Sequence, residues 1–303
     1  MRGKIIFLGT SAGIPTQSRA LPSIALKWGS DLLLFDCGEG TQRQMLIAGV
    51  GFAKAMRIFF THMHGDHVLG LPGLLMTMGL MGRREALSLY GPPGLSKFIE
   101  SILPSIRQGL AFDVVISEIE GAGEVCRGRD YTVRTESAEH NGKSQAYAFV
   151  EDTRRGRFDA EKALSMGIEE GIERSDIIAG RELTLGDGTI VRPSDLIGPP
   201  KPGVKVVYTG DTRYCERIVG LSESADILIH DSTFDESLGG DAAETYHSTC
   251  VDAARVAYEA KVKKLLLFHI SARYQDPSML IEQAKKRFPD VEIAEDFACY
   301  DIA

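Results

Sequence analysis

The segment Thr61-His62-Met63-His64-Gly65-Asp66-His67 constrains this chain more than any other, because it sets three imidazoles and a carboxylate within seven residues, directly behind the apolar run MRIFF. Imidazole nitrogens and carboxylate oxygens are the donors that suit zinc, and a merely solvated loop has no reason to concentrate them. MRIFFTH reads as a strand, on which residues two apart share a face. His62 and His64 are therefore expected to address one metal, and Asp66 and His67, on the following turn, a second. Two metals need more ligands than this cluster offers. Three further candidates each end an apparent strand: His140 after YTVRTESAE, Asp211 after KVVYTG and His269 after KLLLF. Taken alone, each could equally be a hydrogen-bonded structural residue.

The rest of the chain frames this chemistry. Its 303 residues, 44% hydrophobic and 25% charged, have the composition of a soluble enzyme with one large core or two small ones, which excludes disorder. The opening MRGKIIFLGT lacks the longer apolar stretch of a signal peptide, and no run is long enough to span a bilayer. Five scattered cysteines (Cys37, Cys126, Cys215, Cys250, Cys299) without a C-x-x-C pair argue against a disulfide framework and a thiolate zinc site, and a reducing cytoplasm is expected. The net charge of −8 neither supports nor excludes an RNA substrate, since binding depends on local patches.

Short β-type runs (KIIFLGT, DLLLFDCG, MRIFFTH, YTVRTESAEH, QAYAFVED, KVVYTGD, ADILIHDS, KLLLFHIS, VEIAED) alternate with helical periodicity after Asp66, around Gly94 to Arg107, from Ser248 to Ala260 and from Pro277 to Phe288, so an α/β protein is expected. One domain over residues 1–303 is expected, interrupted at about 165–203. There the core-like runs stop, Gly and Pro accumulate, and LTLGDGTIV suggests a small hairpin turning at Asp187-Gly188.

The order H-x-H-x-D-H, then His140, Asp211 and His269, resembles the metallo-β-lactamase superfamily over essentially the whole chain. Within it, LGTSAGIP, FDCGEGTQRQM, YTGDTR and YHST are similar to the ribonuclease Z family, which removes 3′ trailers from tRNA precursors. The resemblance implies a four-layer αβ/βα sandwich with a protruding arm and two zinc ions per subunit, with manganese or iron(II) as alternatives. It implies that His62, His64 and His140 bind one ion, that Asp66, His67 and His269 bind the other, and that Asp211 bridges them. It further implies precursor tRNA as substrate, a homodimer with no membrane association, and a 3′-hydroxyl product of two-metal phosphodiester hydrolysis. Asp66 would orient or deprotonate the water. His247 would protonate the leaving oxygen, oriented by Asp231, which stands in His230-Asp231-Ser232-Thr233 where the family has His-Glu-Ala-Thr. His230 is read as a structural residue or as one that supports a ligand from behind. In FDCGEGTQRQ, Gly38 and Gly40 permit a tight strand-to-helix turn, Thr41 is a candidate cap, and Asp36 could orient a metal-binding imidazole.

Two segments depart from the family. Its loop Pro-x-Lys-x-Arg-Asn is Pro15-Thr16-Gln17-Ser18-Arg19-Ala20 here, keeping Arg19. The insertion lacks the Gly-Pro pair of the family's arm and holds seven carboxylates (Glu169, Glu170, Glu173, Asp176, Glu182, Asp187, Asp195) against four bases (Arg174, Arg181, Arg192, Lys201). Phosphate binding favours the opposite balance. Arg174 and Arg181, with Arg154, Arg155 and Arg157 just before the insertion, are the candidate tRNA contacts. A hydrolase of small phosphodiesters, thioesters or lactones would share every metal ligand, and a non-catalytic RNA-binding protein is the reading of a different class.

Overall fold

The computed structural model describes residues 3–52, 55–106 and 110–302. Two seven-stranded mixed sheets carry the fold. The first runs Cys299–Ile302, Gly3–Gly9, Ser23–Trp28, Asp31–Phe35, Ala55–Phe59, Leu87–Gly91, Val114–Glu118; the second runs Val291–Ile293, Lys264–Phe268, Ile227–Asp231, Lys205–Tyr208, Ser144–Glu151, Tyr131–Ala138, Gly123–Arg127. Apolar runs such as KIIFL, DLLLF, ADILI and KLLLF are interior strands buried on both faces, which is why they do not alternate with polar residues. In Asp31–Phe35, Leu33 and Phe35 enter the core shared by the two sheets, while Leu32 and Leu34 enter a core that includes residues of the helices Thr41–Ile47, Leu71–Leu80 and Leu95–Ile106. In Lys264–Phe268, Leu266 and Phe268 face the shared core, and Leu265 and Leu267 face residues of Glu216–Ser222, Cys250–Glu259 and Ser278–Lys285. Helix, sheet, sheet, helix is the four-layer αβ/βα sandwich.

The expected helices are present with sharper ends. The periodicity after Asp66 divides into Gly65–Val68 and Leu71–Leu80, and the helix read to Arg107 is Leu95–Ile106, with Arg107 itself outside the described residues. Gly40, with φ +84°, rather than Thr41 is the N-cap of Thr41–Ile47, and the Thr41 hydroxyl donates to Gly38 O at 2.7 Å. Gly38 serves a different purpose: a Cβ there would lie 2.5 Å from Asp66 O, so its absence lets the metal-type loop lie against the end of the Asp31–Phe35 strand.

Parallel pairing aligns Asp31–Phe35 with Ala55–Phe59 in one sheet, and Lys205–Tyr208, Ile227–Asp231 and Lys264–Phe268 in the other. The chemistry-bearing residues Asp36, His62, Asp211, Asp231 and His269 stand at or just beyond the C-terminal ends of these strands, where open α/β sheets characteristically bind ligands.

Residues Glu151–Gly203 form a second compact unit, against Met1–Val150 and Val204–Ala303 for the first. It begins at Glu151 rather than near Ser165, because bridges Arg154 to Lys201 and Phe158 to Ile197 pair its two ends. Its own small core joins Ala163, Ile168, Ile177, Val191 and Leu196. The hairpin pairs Leu183 with Val191 and Thr184 with Ile190, with Gly188 at φ +87° in the turn.

Candidate metal centre

The Ala55–Phe59 strand ends before the histidine cluster. His62 and His64 lie on the loop beyond it, His64 is the N-cap of the short helix Gly65–Val68, and Asp66 and His67 are inside that helix. Strand alternation is therefore not what directs His62 and His64; the loop and the helix turn do. His140 and Asp211 likewise stand beyond their strands, and His269 follows Phe268 with its backbone at φ +58°.

These residues converge on one carboxylate. His62, His64, His140 and Asp211 form one group of potential ligand atoms lying within 4.8 Å of one another, and Asp66, His67, Asp211 and His269 form a second. Asp211 Oδ2 is 3.6 Å from His62 Nε2 and 3.4 Å from both His67 Nε2 and His269 Nε2; Asp66 Oδ2 is 3.5 Å from the latter two, and His140 Nε2 is 3.3 Å from His64 Nδ1. Ligands about 2.0–2.2 Å from a tetrahedral ion lie about 3.3–3.6 Å from one another, so these spacings are compatible with a metal site.

The hydrogen bonds fix which nitrogen faces the centre. His140 Nδ1 meets Tyr246 O at 2.9 Å, and a carbonyl only accepts, so Nδ1 carries the proton and Nε2 the lone pair. His67 Nδ1 donates in the same way to Asp36 Oδ2 at 2.8 Å. The Thr61 hydroxyl spends its one proton on Asp36, and therefore accepts from His62 Nδ1 at 3.0 Å. The Thr233 hydroxyl donates to Asp231 Oδ1 at 2.7 Å and accepts from His269 Nδ1 at 2.8 Å. Four Nε2 atoms are thereby turned toward the centre. Those of His62, His67 and His269, with Asp211 Oδ1, are buried without a hydrogen-bond partner, a costly arrangement that bound cations would relieve.

The electrostatics agree. Burial raises the Asp211 carboxyl, but His269, His67 and His62 outweigh it and hold the group well below the ordinary range. Burial similarly opposes, and His269 and His67 reverse, the shift at Asp66, which also ends low. Burial and the neighbouring His67 keep His62 neutral. At His67 burial works toward neutrality, while Asp211 and Asp36 outweigh it and hold the group well above the ordinary imidazole range.

His247 lies beside the centre. Its Nδ1 is 2.7 Å from Asp231 Oδ2, so the shorter carboxylate spans the gap, and its ring stacks on His269 with centroids 5.2 Å apart. Burial lowers its pKa, but the Asp231 charge and hydrogen bond outweigh burial and push it up to about 9. Helix capping at this point belongs to Thr249, whose hydroxyl and Asp252 form a reciprocal box. His230 is fully buried, with Nδ1 at 2.8 Å from Asp231 O.

The residues read as substrate contacts, Arg157 apart, are engaged with neighbouring groups. Arg19 donates to Thr10 Oγ1 and Ala294 O, tying its loop to the domain. In the second unit Arg154 pairs with Glu151 and Arg181 with Asp176, Arg155 donates to Ile178 O, and Arg174 donates to Ile168 O and faces Glu170. Arg157 is exposed. Sequence reasoning missed Thr61, Thr233, Tyr208 and the Tyr246 carbonyl. Only their places next to His62 and two residues after Asp231 mark the two threonines, and nothing in the spacing marks Tyr208.

A family model described as anti-Pycsar protein Apyc1 matches residues 3–110. Over nearly the full length, the ribonuclease Z of Methanothermobacter thermautotrophicus is 42% identical across 299 residues, covering 99% of this chain and 96% of that protein, and the ribonuclease Z of Myxococcus xanthus is 43% identical across 295 residues, covering 97% and 95%. Among solved structures, human tRNase Z, short form, matches with a TM-score of 0.71 at 26% identity over 99% of each chain. The metallo-β-lactamase fold protein YhfI from Bacillus subtilis matches the fold, with a TM-score of 0.70 at 20% identity and 98% coverage of both chains. With its fold and its His/Asp clusters compatible with a metal site, the chain belongs to the ribonuclease Z family, metallo-β-lactamase-fold endonucleases that process the 3′ end of tRNA.

Proposed function

We propose that the chain removes 3′ trailers from precursor tRNA with two zinc ions: one held by His62, His64 and His140, the other by Asp66, His67 and His269, with Asp211 binding both. The observation that carries this reading is that the two four-residue groups built on the H-x-H-x-D-H cluster share Asp211, with buried, unpartnered nitrogens among their members. The ions, when bound, supply charge stabilisation of the phosphoryl oxygens and a nucleophile available at neutral pH. The protein's own residues do the rest. Asp66, whose Oδ2 also accepts from Gly13 N at 3.1 Å, orients the attacking water. His247 holds its transferable proton on Nε2, because Nδ1 is committed to Asp231, and delivers it to the departing ribose oxygen. The products are a tRNA 3′-hydroxyl and a 5′-phosphorylated trailer.

A homodimer accompanies this reading. Leu46 and Ile47 on one helix, and Leu69, Met76, Leu80 and Met81 on or beside the helix Leu71–Leu80, are all about half exposed or more, and the two helices pack together. Large apolar side chains grouped in this way mark an association surface. Among the described residues no helix is long and apolar enough to cross a membrane, and the five cysteines are free; we place the protein in the cytoplasm, where such thiols stay reduced.

Chelator-stripped protein titrated with zinc and assayed for metal content should bind about two ions per chain, and Asp211→Ala should retain neither tightly. Saturation at one ion, or an Asp211→Ala variant with undiminished affinity, refutes the assignment.

A further inference from the structure

Two copies of one hydrogen-bond unit flank the centre. In the first, Asp36 accepts from Thr61 N at 2.8 Å, from the Thr61 hydroxyl at 2.9 Å and from His67 Nδ1 at 2.8 Å, while the hydroxyl accepts from His62. In the second, Asp231 accepts from Thr233 N at 3.0 Å, from the Thr233 hydroxyl at 2.7 Å and from His247 Nδ1 at 2.7 Å, while the hydroxyl accepts from His269. Each unit is therefore a carboxylate holding one imidazole directly and a second through a threonine. The units differ in what they hold. Both imidazoles on Asp36 belong to the two groups built on the H-x-H-x-D-H cluster; Asp231 holds one of these, His269, and His247, which meets Asp211 only in a third group together with Asp231 and His269.

We propose that Thr233 is a positioning residue that couples the proton donor to a metal-holding imidazole. This rests on the reading of His247 as the acid and His269 as a ligand. One hydroxyl fixes the Nδ1–H tautomer of His269, which leaves Nε2 bare, and the same hydroxyl anchors Asp231 Oδ1, so that Oδ2 meets His247. It also lies 3.3 Å from His247 Nδ1. Asp231 Oδ2 accepts from Thr212 N at 3.1 Å as well, next to Asp211, so a shift of this carboxylate reaches both the acid and the bridging position. The site is buried, with Thr233 6% exposed and Asp231 fully enclosed, so water does not replace a lost hydroxyl.

The consequence is a double defect from one substitution. Thr233→Val, Thr233→Ser, Thr61→Val and His247→Ala are compared in two assays: zinc retention against a competing chelator, and cleavage at saturating zinc of precursor tRNA against bis(4-nitrophenyl) phosphate, whose leaving group departs without a proton. Thr233→Val should weaken zinc retention about 10- to 100-fold, the range for losing a partner of a ligating histidine. At saturating zinc it should still cleave tRNA more slowly, relative to the aryl diester, by about tenfold or more. Thr61→Val should lose zinc retention while keeping the ratio of the two activities, and Thr233→Ser, which keeps the hydroxyl, should recover both properties. If Thr233→Val slows both substrates alike at saturating zinc while His247→Ala shows a differential loss, the coupling is refuted and the acid role stands. If His247→Ala itself slows both alike, the acid role and the coupling fall together. A Thr233→Ser variant as defective as Thr233→Val assigns the residue to packing and overturns the proposal.

Discussion

Asp36→Asn tests whether the second layer holds the site up. Asp36 is fully buried, at φ +57°, a conformation that asparagine tolerates, so the backbone is undisturbed and the size is kept. What changes is the acceptor count. Oδ1 receives Thr61 N, and Oδ2 receives His67 Nδ1 and the Tyr208 hydroxyl, the latter at 2.7 Å. If the new amide nitrogen takes the Oδ1 place, the Thr61 N–H faces a donor and cannot reverse. If it takes the Oδ2 place, His67 must move its proton to Nε2, the atom proposed to bind metal. Either way one or two charge-assisted bonds are lost, at about 1.5–3 kcal/mol each, partly offset because a buried charge is also removed. A net loss of about 3 kcal/mol lowers Tm by about 6–12 °C in a domain of this size. Circular dichroism melting of chelator-treated protein measures it without any contribution from metal. A Tm within about 2 °C of wild type, with zinc retention also intact, would refute the reasoning.

Three further outcomes are expected. Asp231 raises the pKa of His247, so the proton-donating form persists at low pH and is lost as pH rises through the raised value. Asp231→Asn should therefore move the alkaline limb of the tRNA kcat/KM profile to lower pH, and an unmoved limb counts against the pairing. Cations bound at Asp211, as proposed, would lower the starting value, so the direction of movement is the test. Replacing about Gly167 to Asp195 with a short flexible bridge should leave aryl diester hydrolysis nearly unchanged and reduce precursor tRNA cleavage by orders of magnitude, since remote contacts matter only for the large substrate; undiminished tRNA processing would mean the second unit is no exosite. Because its arginines except Arg157 are tied to neighbouring groups, Arg157→Gln should flatten the salt dependence of tRNA binding, whereas Arg181→Gln, already paired with Asp176, should change it little; equal slopes in wild type and Arg157→Gln would discard that contact.

The chemistry was legible in the sequence because its donors cluster locally: His62, His64, Asp66 and His67 announce themselves by spacing, and the family words around them give the order in which His140, Asp211 and His269 follow. The buried strands were legible for a different reason. Runs such as DLLLF and KLLLF must be apolar on both faces to lie between a sheet and a helical layer. Ser23–Trp28 and Leu87–Gly91 were not among those runs, and each carries polar residues at partly exposed positions, Lys27 in the first and Ser88 in the second.

Tertiary structure decided everything that depends on a partner far along the chain. Tyr208 reaches Asp36 across 172 residues and Tyr246 reaches His140 across 106, and neither contact leaves a trace in local spacing. The same holds for Thr233, which looks like any threonine after a strand until His269 is folded onto it. It holds also for the arginines of Glu151–Gly203, whose availability depends on which carboxylate or carbonyl stands beside each guanidinium, not on their number. Residue type and short-range order determine which donors exist; a hydrogen bond or coordination edge has a range of only a few ångströms, so which donors meet is settled only when the sheets bring their strand ends together.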